Sequence, residues 1–515
     1  MRRRCAAAGV LAAVASCICT LPRTAVADSP AADEPPAKPA PSSAERIARA
    51  RRVARLSHEA IRQFKAGKYE RTESLLEKIL QIDPANSLAH YNLACVYSRQ
   101  SKPAEAMREL NVALDKGYTS FRHLERDPDL EALRKLPAYG RLIARKDEVQ
   151  RERAGKILAS LKKRFGEGFI CEIDHDDKLV FATDIDSHTL AELKTSLSRY
   201  AEIQWRTLFD NGFEQYVTVV IPRRASAVPR GIGGVYDPRQ RQLIARSIGM
   251  VLTHEFTHAL HFADQEARGQ RHPIWIIEGL ATLFESSTVT GGQIIPIPNK
   301  RANAIKYLVQ RRRNIPWGEF FELSHRDYMS KAVSAYPQGR YIMVYLHEKG
   351  LLKTWYDAYT ALYEKDRTGV KAIEKVFAKP LAEVEADWLK WVATIKTVPR
   401  RLAAKQAYVG VQLARQVDGL RIVRVVRGSA AAKAGLKVGD VLVKLDGRRM
   451  VEVEELLRTV SSHKVGDTMK IEFRRGDKYM TVTATLGPVP KRLAPPAPPK
   501  PKPQPQTRPA KKKAA

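Results

Sequence analysis

The residues with the clearest chemical potential are His254, Glu255 and His258, in His254-Glu255-Phe256-Thr257-His258, and Glu278, in Trp275-Ile276-Ile277-Glu278-Gly279-Leu280-Ala281. Two imidazoles four positions apart on a helix point the same way and can grip one zinc ion. Glu255, beside the first imidazole, is placed to take a proton from a water that such an ion activates rather than to bind the ion. Catalytic zinc keeps three protein ligands and one open position, so a third ligand is needed. Glu278, on a second expected helix, is the choice for it. The competing reading is a core helix with two hydrogen-bonded histidines. It leaves inward-facing polar groups without a partner cation, which is costly.

These side chains need a buried helix to position them. Val251, Leu252, Phe256, Ala259, Leu260 and Phe262 recur at helical spacing around the motif and predict one.

Taken together, His254-Glu255-x-x-His258 and Trp275-x-x-Glu278-Gly279-Leu280-Ala281 resemble the gluzincin branch of zinc metallopeptidases, over roughly residues 165–395. The resemblance implies an α+β metallopeptidase domain, peptide-bond hydrolysis, zinc ligation by His254, His258 and Glu278, and Glu255 as general base. Many gluzincins carry an Asp four residues after the glutamate ligand to orient the first histidine; this chain has Thr282 there, and Glu285, two turns on from Glu278, is either the acidic residue that takes over or a surface glutamate. Asp264 is the rival third ligand, at the position that metzincins use. That geometry requires a helix-breaking glycine at 261, where this chain has His261, so the helix is expected to run on and carry Asp264 away. The resemblance further implies an oxyanion-stabilising Tyr or His from the later half. Tyr336, in Tyr336-Pro337-Gln338-Gly339-Arg340-Tyr341 ahead of the apolar run Ile342–Leu346, is the candidate, against a purely packing role, and His347 is second. In that family an edge strand pairs with extended substrate, and residues 240–246 are expected to supply it.

The chain has 515 residues, room for about three domains. Lys plus Arg number 88 against 56 Asp plus Glu, a net +32. The excess is scattered, so no specific nucleic-acid module stands out; attachment to an anionic envelope or membrane surface and plain solubility both fit. Arg2-Arg3-Arg4, an apolar stretch over 5–21 and Ala25-Val26-Ala27 read as an export signal, giving a periplasmic, secreted or envelope protein. Val14-Ala15-Ser16-Cys17 resembles a lipoprotein box, with lipidation at Cys17 as the alternative to cleavage after Ala27. Beyond the signal only Cys95 and Cys171 remain, in different expected domains, so no disulfide framework follows.

Two flanking stretches carry no reaction chemistry but a strong organisation. Residues 53–86 and 87–120 align as two units of about 34 residues, matching Ala60 with Ala94, Thr72 with Ala106, Leu76 with Leu110 and Ile79 with Ala113. With Asn92-Leu93-Ala94-x-x-Tyr97 and Ala104-Glu105-Ala106 this resembles the tetratricopeptide repeat, which implies a groove for peptides or partner proteins, or else a spacer. Tyr408-Val409-Gly410-Val411, the run Gly428 to Leu442 and Asp446-Gly447 resemble a PDZ domain. By that resemblance the loop Tyr408, Val409, Gly410, Val411 offers backbone amides to a peptide carboxylate, and the peptide adds as a strand beside a helix at 452–461.

The expected architecture is multidomain: signal 1–27, linker 28–45, all-α tetratricopeptide-like array 46–147, α+β gluzincin-like domain 148–397, linker 398–406, β-rich PDZ domain 407–487 and a Pro/Lys-rich tail 488–515. The functional expectation is an exported zinc metallopeptidase whose two modules recruit substrate or partner proteins. The alternative is a weakly catalytic zinc-binding scaffold for peptide C-termini.

Overall fold

The computed structural model describes residues 43–223, 233–399, 402 and 405–490. The expected export signal, Cys17, linker residues 28–42 and the tail from 491 lie outside the described residues. The chain divides into two compact units. One holds the described residues up to Ala182 with Asn211–Val219 and Ala263–Gly269; the other holds Thr183–Asp210, Val220–Phe262 and everything from Gln270.

The first unit opens with antiparallel helix pairs: α1 (Ser43–Lys65) with α2 (Tyr69–Ile82), and α3 (Ser87–Arg99) with α4 (Pro103–Asp115). The positions that match between the two units of sequence are all buried, Ala94, Ala106 and Ala113 completely. Small side chains there let the helices approach closely. Asn86 starts α3 by accepting from the Ala89 amide at 3.0 Å, and Pro103 starts α4, where a missing N–H costs nothing. Cys95 is a fully buried core residue, as its helical position implies. Short helices α5 (Phe121–Arg126), α6 (Glu131–Arg134) and α7 (Pro137–Ala144) close the array with Leu124, Leu130 and Leu133 inside, and α8 (Lys146–Phe165) follows. The polar stretch after β1 (Ile170–Asp174) is a hairpin turn into β2 (Leu179–Thr183), with Asp174 accepting from the Asp177 amide.

After β2, α9 (Ser187–Thr207) precedes β3 (Val217–Ile221), β4 (Gly234–Asp237) and β5 (Gln242–Ala245). The strands order β1-β2-β3-β5-β4 in one sheet. The edge expected at 240–246 therefore falls one strand away. β5 is flanked on both sides, and β4 is the strand left at the edge, paired with β5 in the register Gly234↔Ala245 and Asp237↔Gln242.

The long helix α10 (Met250–Arg268) carries the His-Glu-x-x-His motif, and α11 (Ile274–Phe284) carries Glu278. The stretch beyond Glu285 opens with a hairpin, β6 (Ser287–Thr290) and β7 (Gln293–Pro296), and is helical after it. Its turn, Gly291-Gly292, has both φ angles positive, at 58° and 70°, and a side chain would be strained there. Helices α12 (Lys300–Gln310), α13 (Trp317–Phe320), α14 (His325–Ser330), α15 (Ala332–Glu348), α16 (Leu352–Leu362), α17 (Val370–Phe377) and α18 (Leu381–Thr394) complete this part. Tyr336 is not ahead of the apolar helix but inside it, since α15 starts at Ala332 and takes in Pro337.

The C-terminal part is β-rich. Strands β9 (Val411–Arg415), β10 (Leu420–Val425), β11 (Val441–Leu445), β13 (Thr468–Arg475) and β14 (Lys478–Thr485) form a sheet ordered β14-β13-β11-β10-β9, with β12 (Arg448–Arg449) on β11. β8 (Ala407–Tyr408) pairs with β15 (Gly487–Pro488), and helices α19 (Ala430–Lys433) and α20 (Val453–Ser461) pack on the apolar face. No described helix is long and apolar enough to cross a membrane.

One close approach sets where the site residues meet. A Cβ on Gly279 of α11 would lie 3.1 Å from Met343 and 3.4 Å from the Gly339 carbonyl of α15, and one on Gly339 would lie 3.0 Å from the Tyr328 hydroxyl. Two facing glycines thus bring α15 within reach of Glu278. Gly279→Leu should destabilise the fold by about 1–3 kcal/mol through overpacking, read as a lower urea midpoint with unchanged m.

Candidate metal centre and peptide groove

Helix geometry delivers what the spacing implied. His254 and His258 stand one turn apart with their rings 4.7 Å centre to centre and nearly perpendicular, and their Nε2 atoms are 3.1 Å from each other. Glu278 Oε2 approaches both, at 3.3 Å from His254 Nε2 and 3.7 Å from His258 Nε2. The candidate ligand atoms of the three residues all lie within 4.8 Å of one another. Two imidazole nitrogens and one carboxylate oxygen converge on a common point.

The donor chemistry of that point suits a divalent cation. Glu278 Oε2 is buried and has no hydrogen-bond partner in well-aligned geometry, and an uncompensated carboxylate oxygen of that kind is costly. Nitrogen and carboxylate donors in this number are those of catalytic zinc. Without a cation the charges fall back on one another. Burial opposes ionisation of Glu278, but the His258 and His254 rings overcome it and hold the carboxyl down at about 2. Burial also opposes a charged His254, yet hydrogen bonds and charge from Glu278 and Glu285 raise it to about 10. His258, left with burial as its largest influence, falls to about 4.

The orientation of His254 comes from Glu285, whose Oε2 lies 3.2 Å from His254 Nδ1. Glu285 is itself held by Arg301 Nε at 2.6 Å, a second Arg301 nitrogen at 3.2 Å and Asn299 Nδ2 at 3.1 Å. Thr282 does not take part: its hydroxyl turns back to the Glu278 carbonyl at 2.7 Å. Two turns of α11 separate Glu278 from Glu285, so the second carboxylate reaches the far side of the same imidazole. Arg301 and Asn299 were not legible as site residues; the only signal is that Asn299 caps α12, accepting from the Arg301 amide at 2.9 Å.

Asp264 is not part of that group. α10 runs unbroken past His261 to Arg268, and the Asp264 carboxylate is taken up by the Asn211 amide and side chain, at 3.0 and 2.7 Å, and by Arg268 at 2.8 Å. His261 is likewise internal, bonded to His272 at 2.8 Å.

Glu255 is buried but stays off the ligand set. Burial, with the Glu278 charge, raises its pKa to about 7 against the pull of His254, and the Tyr236 backbone amide of β4 donates to it. β4 packs tightly on this face: a Cβ on Gly234 would lie 2.7 Å from Val251 and 2.8 Å from Glu255 Cγ. The edge strand and the free carboxylate are thus neighbours. Tyr336 lies beside Glu278, to which its hydroxyl donates, with its ring under the Arg301 guanidinium at 5.1 Å and its hydroxyl also 3.7 Å from Met329 Sδ. Burial and the nearby Glu278 charge push that phenol up, so it keeps its proton. His347 sits eleven residues further along α15, about 16 Å of helix away from Tyr336.

The second expected site is the loop Tyr408–Val411. Gly410 adopts φ 94°, and a Cβ there would overlap the Ser429 side chain. The Val409 carbonyl accepts from the Ala431 amide and the Gly410 carbonyl from the Val426 amide, both at 2.8 Å. A trans peptide points its N–H opposite its C=O, so the Gly410 and Val411 amides face outward together. Paired outward amides make an anion cradle. It opens at the head of β9, the edge of its sheet, with α20 alongside.

Comparison with known proteins bears on the flanking modules. A tetratricopeptide repeat model matches residues 63–123 and a PDZ domain model residues 407–486. A chloroplastic protein of Arabidopsis thaliana is 37% identical over 93 residues, 18% of this chain and 28% of that protein. The serine protease Do-like HtrA of Lactobacillus helveticus is 43% identical over 69 residues, 13% of this chain and 17% of that protein, a match confined to the PDZ region. The chain thus spans less than a third of the length of either relative. An aminopeptidase N family protein from Idiomarina loihiensis aligns over 62% of this chain and 67% of its own, at 16% identity and a TM-score of 0.30.

The protonation pattern predicts metal uptake. At pH 7 His254 holds a proton that a cation must displace, while His258 and Glu278 do not. Zinc titration of the metal-free protein should release about one proton, seen as a buffer-dependent heat, and affinity should climb from pH 7 toward 10. Glu278→Ala should lose the ion, Glu285→Ala should bind it about 10–100-fold more weakly, and Asp264→Ala should retain it if it folds. The chain therefore contains a helical tetratricopeptide-repeat segment, a mostly helical middle region with a candidate metal centre, and a PDZ domain.

Proposed function

We propose that the protein is a zinc-dependent peptidase of the gluzincin type that acts on polypeptides brought to it by its PDZ and tetratricopeptide modules, and that residues 1–27 export it. The observation that carries this reading is the convergence of His254, His258 and Glu278 with Glu255 next to them yet outside the ligand set. A purely structural metal site has no use for a buried base beside it.

In this reading His254 Nε2, His258 Nε2 and one Glu278 oxygen hold the ion. A bound zinc supplies Lewis acidity, polarising the scissile carbonyl and lowering the pKa of a water. Glu255 takes the proton from the attacking water and delivers it to the departing amide nitrogen; a carboxyl group near pH 7 serves both steps. The Tyr336 hydroxyl, still protonated, donates to the carbonyl oxygen as charge develops there. Glu285, backed by Arg301, fixes the ring of His254. Strand β4 supports the extended substrate through edge pairing.

On unstructured peptides, Glu255→Gln should lower kcat/KM by about 10²–10⁴-fold with zinc content unchanged. Tyr336→Phe should lower kcat by about 10²-fold, again with zinc retained. Cleavage that persists at full rate in a zinc chelator and in Glu255→Gln would refute the mechanism.

A further inference from the structure

The PDZ domain and the metal helix meet through a defined passage. A cavity of about 600 Å³ is walled on one side by Arg415 to Asp418, at and just after the end of β9, and on the other by Arg246, Ser247 and Val251, which lead into α10. Its walls are held together. The Ile248 amide donates to the Val417 carbonyl at 2.9 Å, and a Cβ on Gly249 would lie 2.9 Å from Val451. Asp418, almost fully buried, takes Arg223 at 2.9 Å and Arg474 at 2.8 Å. At one end the cavity begins where β9 stops. At the other, Val251 touches Gly234, the first residue of β4, one helical turn before Glu255.

Chain direction agrees at both ends. A peptide held by its carboxylate at Gly410 and Val411 runs antiparallel to β9, so its upstream residues leave toward Arg415 and the cavity. Emerging beside Arg246, whose amide bonds to the Gly233 carbonyl at 3.0 Å, the same chain meets β4 at its Gly234 end. Continuing upstream toward Asp237, it is again antiparallel. No reversal is needed anywhere along the route.

Charge identifies what the passage accepts. Four arginines line it, Arg223, Arg246, Arg415 and Arg474, against Asp418 and Glu452. The exit from the groove is crossed by Arg415, bonded to Glu452 at 2.9 Å and Glu454 at 3.0 Å. Glu452 is buried, but Arg415 is half exposed and Glu454 partly so; a pair that water reaches in this way is weak, and an incoming acidic side chain can replace Glu454 on the guanidinium.

We infer that one substrate polypeptide occupies the PDZ groove, the cavity and the β4 edge at once, anchored by its free C-terminal carboxylate and carrying acidic side chains where it crosses the arginine-lined passage. The inference rests on the peptidase reading above. It makes the PDZ domain a ruler. The five residues of β9, two or three more to cross a cavity of about 600 Å³ if it is as long as it is wide, and about two for one further helical turn place the cut about nine or ten residues from the C-terminus, at about 3.3 Å per extended residue.

The test uses the full chain with zinc and a set of unstructured 25-residue peptides with mixed sequence, a free or amidated C-terminus, and acidic or basic residues at the sixth to eighth positions from the end. Mass spectrometry should find Glu255-dependent cuts about ten residues from the carboxylate. Five added C-terminal residues should move the cut by about five, and amidation or basic crossing residues should each cost about tenfold in kcat/KM. Independently of activity, a benzoylphenylalanine at the seventh position from a free C-terminus should label residues 246–251 of the metal-free protein. Glu255-dependent cuts that ignore C-terminal extension, or labelling absent from that segment while the peptide is bound, would overturn the ruler and leave the peptidase intact. Absence of any Glu255-dependent cleavage would overturn both.

Discussion

The middle of the molecule is organised around a cost. Glu278, Glu285, His254 and Arg301 are all largely removed from water, and isolated charges in such surroundings are strongly disfavoured. They are tolerable only as a set. Arg301 neutralises Glu285, Glu285 fixes one nitrogen of His254, and the other nitrogen faces Glu278 and His258. What is left over is a buried Glu278 oxygen toward which both imidazoles turn, and three donors aimed at one point form a set that could hold a cation. Packing elsewhere serves this arrangement: facing glycines bring α15 to α11, and Gly234 brings β4 against α10.

Much of that set was legible in the sequence because helical periodicity is rigid. Two histidines four apart and a glutamate on a second apolar helix leave little freedom, and the uninterrupted run through His261 removed Asp264 from contention for a reason that the helix bears out. Glu285 was legible for the same reason, being two turns from Glu278 on one helix. Arg301 and Asn299 were not, because they arrive from α12 after a hairpin whose turn is marked only by Gly291 and Gly292. Periodicity speaks within an element and is silent about which elements meet.

The two other misplacements have the same origin. Residues 240–246 hold the short apolar run of a strand, but which strand is left at the edge of a sheet depends on β3 and β4 pairing with it, and pairing order is a long-range property. Tyr336 precedes Pro337, which ordinarily marks a helix boundary. α15 nonetheless begins earlier and carries the proline within it, held by contacts with α11, α12 and α14. The repeats and the PDZ domain were read more readily because each is a local motif, with buried alanines in one and a glycine at φ 94°, where other residues would be strained, in the other.

The ion pair between Arg223 and the buried Asp418 of the PDZ domain, with the Ile248–Val417 hydrogen bond beside it, changes what that domain is to its neighbour. A module on a loose tether raises the local level of a bound partner to a value set by tether length, and that value falls as the tether grows. Here the Arg223–Asp418 ion pair and the Ile248–Val417 hydrogen bond hold the module beside the residues that lead into α10. Effective molarity is then governed by fixed geometry, and drift in the sequence of the connecting segment has little purchase on it.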